Sequence, residues 1–328
     1  MQANPVIVKE LRGRMRGWRA ATVLVIYLVV LSGISWLVYL ATRDMSNGLS
    51  PESSQVGKIL FSTLVVFQVI MVSLLTPAFT AGAITSEREQ KTYDLLMTTL
   101  LPARSVILGK LGSALAYVVL LILAIAPLES LAFMFGGVSP EEIILSQVVM
   151  LAAAVLFASV GIFWSSALRS SVASNVLTYG TIIFQMLIVP FIYGLVISMI
   201  GAFAYNPTGQ SIANTEGFFY ASGLVLSSHP IIAMGISDSF IVNGDPLFIY
   251  TNTTYQQGHT LFVISPWLLF CIEALIISTI LVLASIRLVQ PVRYRSKSKP
   301  ELHRQETSTI SQATEPEMVL EGEQTSGP

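Results

Sequence analysis

Between Arg19 and Arg43 the chain runs for 23 residues without a charge, and five further, predominantly apolar stretches of comparable length follow. Coiled at 1.5 Å per residue, such a stretch measures about 34 Å, enough to cross a hydrocarbon layer about 30 Å thick. The spacing predicts six spans over residues 20–42, 59–82, 106–135, 143–168, 172–203 and 261–288, with Glu129 inside the third and Glu273 inside the sixth. Composition agrees: only 11% of residues are charged, against roughly a quarter in water-soluble domains. The apolar run at the N-terminus exceeds the 7 to 15 residues of a secretory leader, so it reads as a retained span.

Charge placement orients these spans. With six spans and the N-terminus inside, 16 of the 18 basic residues fall on the cytoplasmic side and only Arg43 and Lys58 fall outside, which is the bias of the positive-inside rule. A seventh span over 217–237 would move six of them outward. That segment is also interrupted at Ser227-Ser228-His229-Pro230, where proline removes a backbone donor and restricts the residue before it. Two short half-helices dipping in from the outer face are expected there, packed against other spans so that their broken backbone is satisfied. After residue 290 the chain turns basic and then Ser/Thr/Glu/Pro-rich. The expected organisation is a membrane domain over 1–290 and a disordered cytoplasmic tail over 291–328.

Two polar elements border the spans on the cytoplasmic side. Asn4 and Pro5 suit a helix start, and over 5–19 Ile7, Leu11, Met15 and Trp18 gather on one face opposite Lys9, Arg12, Arg16 and Arg19. This is either a surface helix or a basic flank that fixes topology. The second element covers 83–97. Glu87 and Lys91 form an (i, i+4) pair in the favourable order, and the run has neither Pro nor Gly after Ala83, so a helix parallel to the membrane is expected. A solvated charged loop explains the same charges.

Three stretches resemble the permease subunits of the type-2 exporter family of ATP-binding-cassette transporters: Asn4-Pro5-Val6 through Lys9-Glu10-Leu11-Arg12; Glu87-Arg88-Glu89 with Thr92, Asp94, Leu95 and Leu96; and Ile107-Leu108-Gly109-Lys110. With the six-span order, the likeness extends over residues 4 to 290. It implies an all-α integral membrane fold with an N-terminal connecting helix containing Lys9, Glu10 and Arg12. A coupling helix between spans two and three would dock an ATPase through Glu87, Arg88, Glu89, Thr92 and Asp94, and a re-entrant segment would lie outside between spans five and six. It also implies a dimer of permeases, identical or related, embedded in lipid of the bacterial plasma membrane with both termini cytoplasmic. ATP and magnesium would sit on a separate ATPase, and the work would be outward movement of an amphipathic or hydrophobic substrate. Members of that family often carry glycine where this chain has Lys91, which bears on the pitch of the second half of the coupling helix.

Other chemistry is poorly supported. No phosphate-binding Gly-x-x-x-x-Gly-Lys-Ser/Thr run occurs, so the chain is read as a non-catalytic subunit with no cofactor of its own. The single Cys271 and the scattered His229, His259 and His303 offer no metal-ligand spacing, and no nucleic-acid partner is expected. Glu141-Glu142 lacks the arginine four residues on that a glutamate-dependent membrane protease would show. Intramembrane carboxylates are costly and usually retained for a reason. Glu273, near mid-span, is the stronger candidate for a polar site on the substrate path or dimer interface. Glu129, nearer the outer end, is readable as an interfacially solvated group. Two rival classes remain at this level: a secondary transporter, which normally shows inverted repeats that are not evident here, and a non-transporting membrane scaffold or receptor subunit.

Overall fold

The computed structural model describes residues 18–45, 53–92, 102–203, 216–242, 246–252 and 261–289. The expected N-terminal helix with Lys9, Glu10 and Arg12, the residue Asp94, and the tail 291–328 lie outside these. Among the described residues, six helical spans are long and apolar enough to cross a bilayer. They begin with α1 (Trp18–Met45) and α2 (Ser53–Thr80), after which a turn leads into the five-residue α3 (Thr85–Glu89). The third span is α4 (Ala103–Ala124) continued by α5 (Ala126–Phe135), and the fourth is α6 (Pro140–Ala167). The fifth is α7 (Ser171–Ile183), a π-helical stretch Phe184–Ile188, and α8 (Val189–Phe203). Then come α9 (Glu216–Ser227) and α10 (Pro230–Val242), a ribbon of β1 (Ile249–Asn252) and β2 (Leu261–Ile264), and the sixth span, α11 (Pro266–Val289).

The ends of these helices follow from their sequence. Ser139 caps α6 by accepting from the Glu142 amide at 3.2 Å, Pro140 occupies the first helical position, and Glu141 and Glu142 sit in the first turn, where carboxylates oppose the positive end of the helix dipole. Pro127 falls in the first turn of α5, and the third span changes from one helix to the next at Ile125, just ahead of it. The α9–α10 pair is bent by 118° at the two residues before Pro230, as the proline predicts.

The course of the backbone departs from the sequence reading at the start of the sixth span and at the end of α3. The sixth span, expected from Leu261, starts at Pro266, because Leu261–Ile264 pairs antiparallel with Ile249–Asn252 in the register Ile249↔Ile264. Short apolar runs do not distinguish strand from helix by periodicity. The ribbon is tied down by Trp267, whose indole donates to the Leu247 carbonyl at 2.8 Å and whose amide donates to Ser237 Oγ at 3.0 Å. The second departure is at Lys91. The helix expected over 83–97 ends at Glu89, and Lys91 takes φ 57°.

The core is organised around α6, which packs against α2, α4, α7, α10 and α11. Its buried face carries Ala153, Ala154, Ala158 and Gly161, small residues that let neighbouring backbones approach. At Gly161 a side chain would collide with Thr80 of α2. Phe157 and Phe270 fill the space between α6 and α11.

Candidate functional site

The end of the bundle where α2 stops and α4 starts contains a concentration of charge bonded across helices. α3 begins against α6: the amides of Ile84 and Thr85 both reach Ser165 Oγ, at 2.8 and 3.2 Å, and Ser165 is fully buried. These two amides belong to the first turn of a helix, whose N–H groups have no intrahelical acceptor. Ser165 replaces a local cap with one from another span. Ser174 Oγ of α7 donates to the Ala81 carbonyl at 2.6 Å, fixing the turn before α3.

The next three residues each take hold of a different span. Glu87 Oε1 accepts from Lys110 Nζ of α4 at 2.7 Å, with side-chain exposures of 25% and 5%. Arg88 Nη1 donates at 2.7 Å to the carbonyl of Leu168, which terminates α6. Glu89 accepts from the Ser171 amide at 2.7 Å and from Ser171 Oγ at 2.8 Å, at the start of α7. Ser171 Oγ also lies 3.0 Å from Thr85 Oγ1. A cation therefore meets the carbonyl end of α6 and an anion meets the amide end of α7, each the favourable partner for that helix terminus. The Ser171 contacts hold the Glu89 carboxyl below the usual carboxylate range.

α3 then ends in a Schellman motif. The Lys91 amide donates to the Arg88 carbonyl and the Thr92 amide to the Glu87 carbonyl, the paired bonds that place the intervening residue in the left-handed region. Lys91 occupies that position, which ordinarily favours glycine, so the family's frequent glycine has a conformational reason at this site. Gln90, Lys91 and Thr92 are exposed.

Of the residues singled out from sequence, Glu87, Arg88 and Glu89 are brought together with their charged ends committed to α4, α6 and α7. Thr92 sits at the exposed end of the motif, and Asp94 lies outside the described residues. Sequence reasoning did not find Ser165 or Ser171, or Lys110 as the partner of Glu87. The one available signal was Lys110, a cation inside an apolar run that requires an anion nearby.

The two intramembrane carboxylates also separate. Glu129, expected to be interfacially solvated, is fully buried and accepts from Gln147 Nε2 of α6 at 2.7 Å. Burial rather than solvation is its situation, because α5 turns it inward beside α6. Tyr27 of α1 and Gln68 of α2 are likewise buried nearby. The Tyr27 hydroxyl and both polar atoms of the Gln68 amide are buried without a hydrogen-bond partner. Glu273 on α11 is half-buried, with one carboxylate oxygen unpartnered. No group of His, Cys, Asp and Glu able to hold a metal occurs among the described residues.

No curated protein matched the chain. A family profile, described as "ABC-2 family transporter protein", matches residues 5–287, a range that contains α3 and all six spans but for the last two residues of the sixth. With six apolar spans and that match over most of its length, the chain is a multi-pass membrane protein and belongs to the ABC-2 transporter family, whose members are the non-catalytic membrane subunits of ATP-binding-cassette transporters.

Proposed function

We propose that this chain is the permease half of an ATP-driven exporter, moving an amphipathic or hydrophobic substrate outward while a separate ATPase, carrying ATP and magnesium, seats against α3. The observation that carries the reading is the α3 clamp. Three consecutive side chains connect one five-residue helix to α4, α6 and α7, so a push on α3 is delivered to three spans at once. A bistable bundle needs such a shared lever to convert a local displacement into a rearrangement. The docking face is the exposed rim Gln90–Thr92 together with the following segment that includes Asp94. Glu87, Arg88 and Glu89 transmit the load inward. In this reading α3 and both termini face the cytoplasm of a bacterial cell, as the basic-residue bias supports. A second permease covers the apolar face of the fifth span, whose apolar 18-residue stretch is only 6% buried within this chain.

The test separates docking from transmission. A Gln90→Lys, Thr92→Glu variant is expected to lose the co-purifying ATPase while retaining normal expression. A Glu89→Ala variant is expected to keep the ATPase but lose ATP-dependent transport in proteoliposomes. Transport driven by an ion gradient with no ATPase present would overturn the reading in favour of a secondary transporter, and an intact wild-type assembly that neither binds an ATPase nor transports would favour a scaffold.

A further inference from the structure

The fifth span and the bent α9–α10 pair each contain a backbone defect, and the two defects meet. In the fifth span, Pro190 has no amide hydrogen, so in α-helical register the Met186 carbonyl four residues earlier lacks its donor. The helix widens there into the π-helical stretch Phe184–Ile188, in which the Val189 amide reaches back to Phe184. Such single-turn π segments recur at functional positions. In the α9–α10 pair, the chain breaks at Ser228–His229, immediately before Pro230, and the Ser228 carbonyl falls at the break.

Each defect is satisfied by a side chain from the other. His229 Nε2 lies 3.1 Å from the Met186 carbonyl, and Gln185 Nε2 donates to the Ser228 carbonyl at 3.2 Å. The other ring nitrogen, His229 Nδ1, accepts from the Ile232 amide at 3.4 Å, acting as the cap of α10. Because Nδ1 accepts, the proton sits on Nε2 and is donated to Met186; the two bonds fix the tautomer. His229 is 6% exposed, and Met186 and Ile231 pack into one apolar cluster at the same place.

We propose that Gln185 and His229 are positioning residues that form a latch, holding the α9–α10 hairpin against the fifth span, and that its release lets the two separate during transport. The release step rests on the export reading above; the holding contact does not. A π segment stabilised from outside is suited to this task, since losing His229 removes the contact that reaches the Met186 carbonyl from the other element. Hydrogen bonds between helices in membranes are individually modest. A latch of two can therefore hold and yield within one cycle.

The variants separate the latch from the fold. His229→Asn retains a strong helix cap for Ile232 but is too short to reach Met186, and Gln185→Met keeps length without a donor. The full chain with its ATPase, in lipid nanodiscs, would be followed by hydrogen exchange with and without Mg-ATP. Without nucleotide, amides 228–233 of the double variant should exchange about tenfold faster than wild type, with α6 unchanged; Gln185→Met alone, which leaves the cap intact, should give about threefold. In wild type, Mg-ATP should accelerate the same amides, and in the double variant it should add nothing further. Unchanged exchange in both variants overturns the latch. An equal ATP response in wild type and double variant overturns its role in the cycle and leaves a structural contact. A flat ATP response in wild type with the nucleotide-free difference intact counts against the release step and the export reading, while the holding contact stands.

Discussion

Removing the Lys110 ammonium tests the α3 clamp at its most buried point. The pair is separated by 2.7 Å with Lys110 5% exposed and Glu87 25% exposed. At an effective dielectric of about 20 the gross attraction is about 6 kcal/mol, and desolvating the two ions offsets most of it. What remains as net coupling should be about 2 kcal/mol. The single substitutions should cost more than that, about 3 kcal/mol each, because each leaves one charge of the pair facing a neutral side chain in a largely buried site. Lys110→Met, Glu87→Gln and the double variant would be compared by reversible unfolding of the full chain in mixed micelles. The double variant is expected to be about 2 kcal/mol more stable than the sum of the singles predicts. Additivity within about 0.5 kcal/mol would refute the reasoning, since independent sites add within that margin.

Three further outcomes are expected. Lys91→Gly should stabilise the chain by about 1 kcal/mol in the same unfolding assay, because glycine adopts the left-handed conformation without steric cost; destabilisation would mean that the Lys91 side chain makes a contact that outweighs its backbone. Ser165→Ala should cost about 2 kcal/mol by stranding the Ile84 and Thr85 amides, and a neutral result would remove Ser165 from the account. Glu89 supplies the pH dependence. Its folded-state value is depressed by Ser171, so its contribution is present above the unfolded value and is lost as pH falls through the folded one. The contact with α7 should hold through neutral pH and open only at acidity beyond the ordinary glutamate range, seen as faster Ser171 amide exchange after correction for its intrinsic rate; in Glu89→Gln that acid dependence should vanish.

Where physics is local, the sequence revealed it. Span number came from the length of apolar runs, and the bend at Ser228–His229 came from Pro230, because both signals are complete within about twenty to thirty residues. The π-helical stretch gave no such signal: Phe184–Ile188 reads as uninterrupted apolar helix, and only the pairing of Pro190 with a histidine 39 residues later explains it. The clamp was half legible. Glu87, Arg88 and Glu89 stand out as charges, but their partners at 110, 168 and 171 are set by how the spans pack, so a solvated rim and an internal brace look alike in one dimension. Glu129 was misjudged for the same reason, since depth along a helix says nothing about which side faces a neighbour. Leu261–Ile264 failed differently, being too short for its period to be read.

The burial of α6 also bears on how the chain is made. The most hydrophobic 18-residue stretch of that span is 61% buried, against 11% for the first span and 6% for the fifth, yet the first three spans are synthesised before it. Until residue 147 has entered the membrane, Glu129 lacks the amide that it accepts from, and until residue 165 arrives the Ile84 and Thr85 amides have no serine to meet. The nascent chain thus passes through a stage with three spans inserted and several polar obligations open. The fourth span meets both of these together, which makes its entry the step that turns a loose set of helices into a bundle, while the fifth brings Ser171 and Ser174 to the α3 turn and the sixth completes the packing around α6.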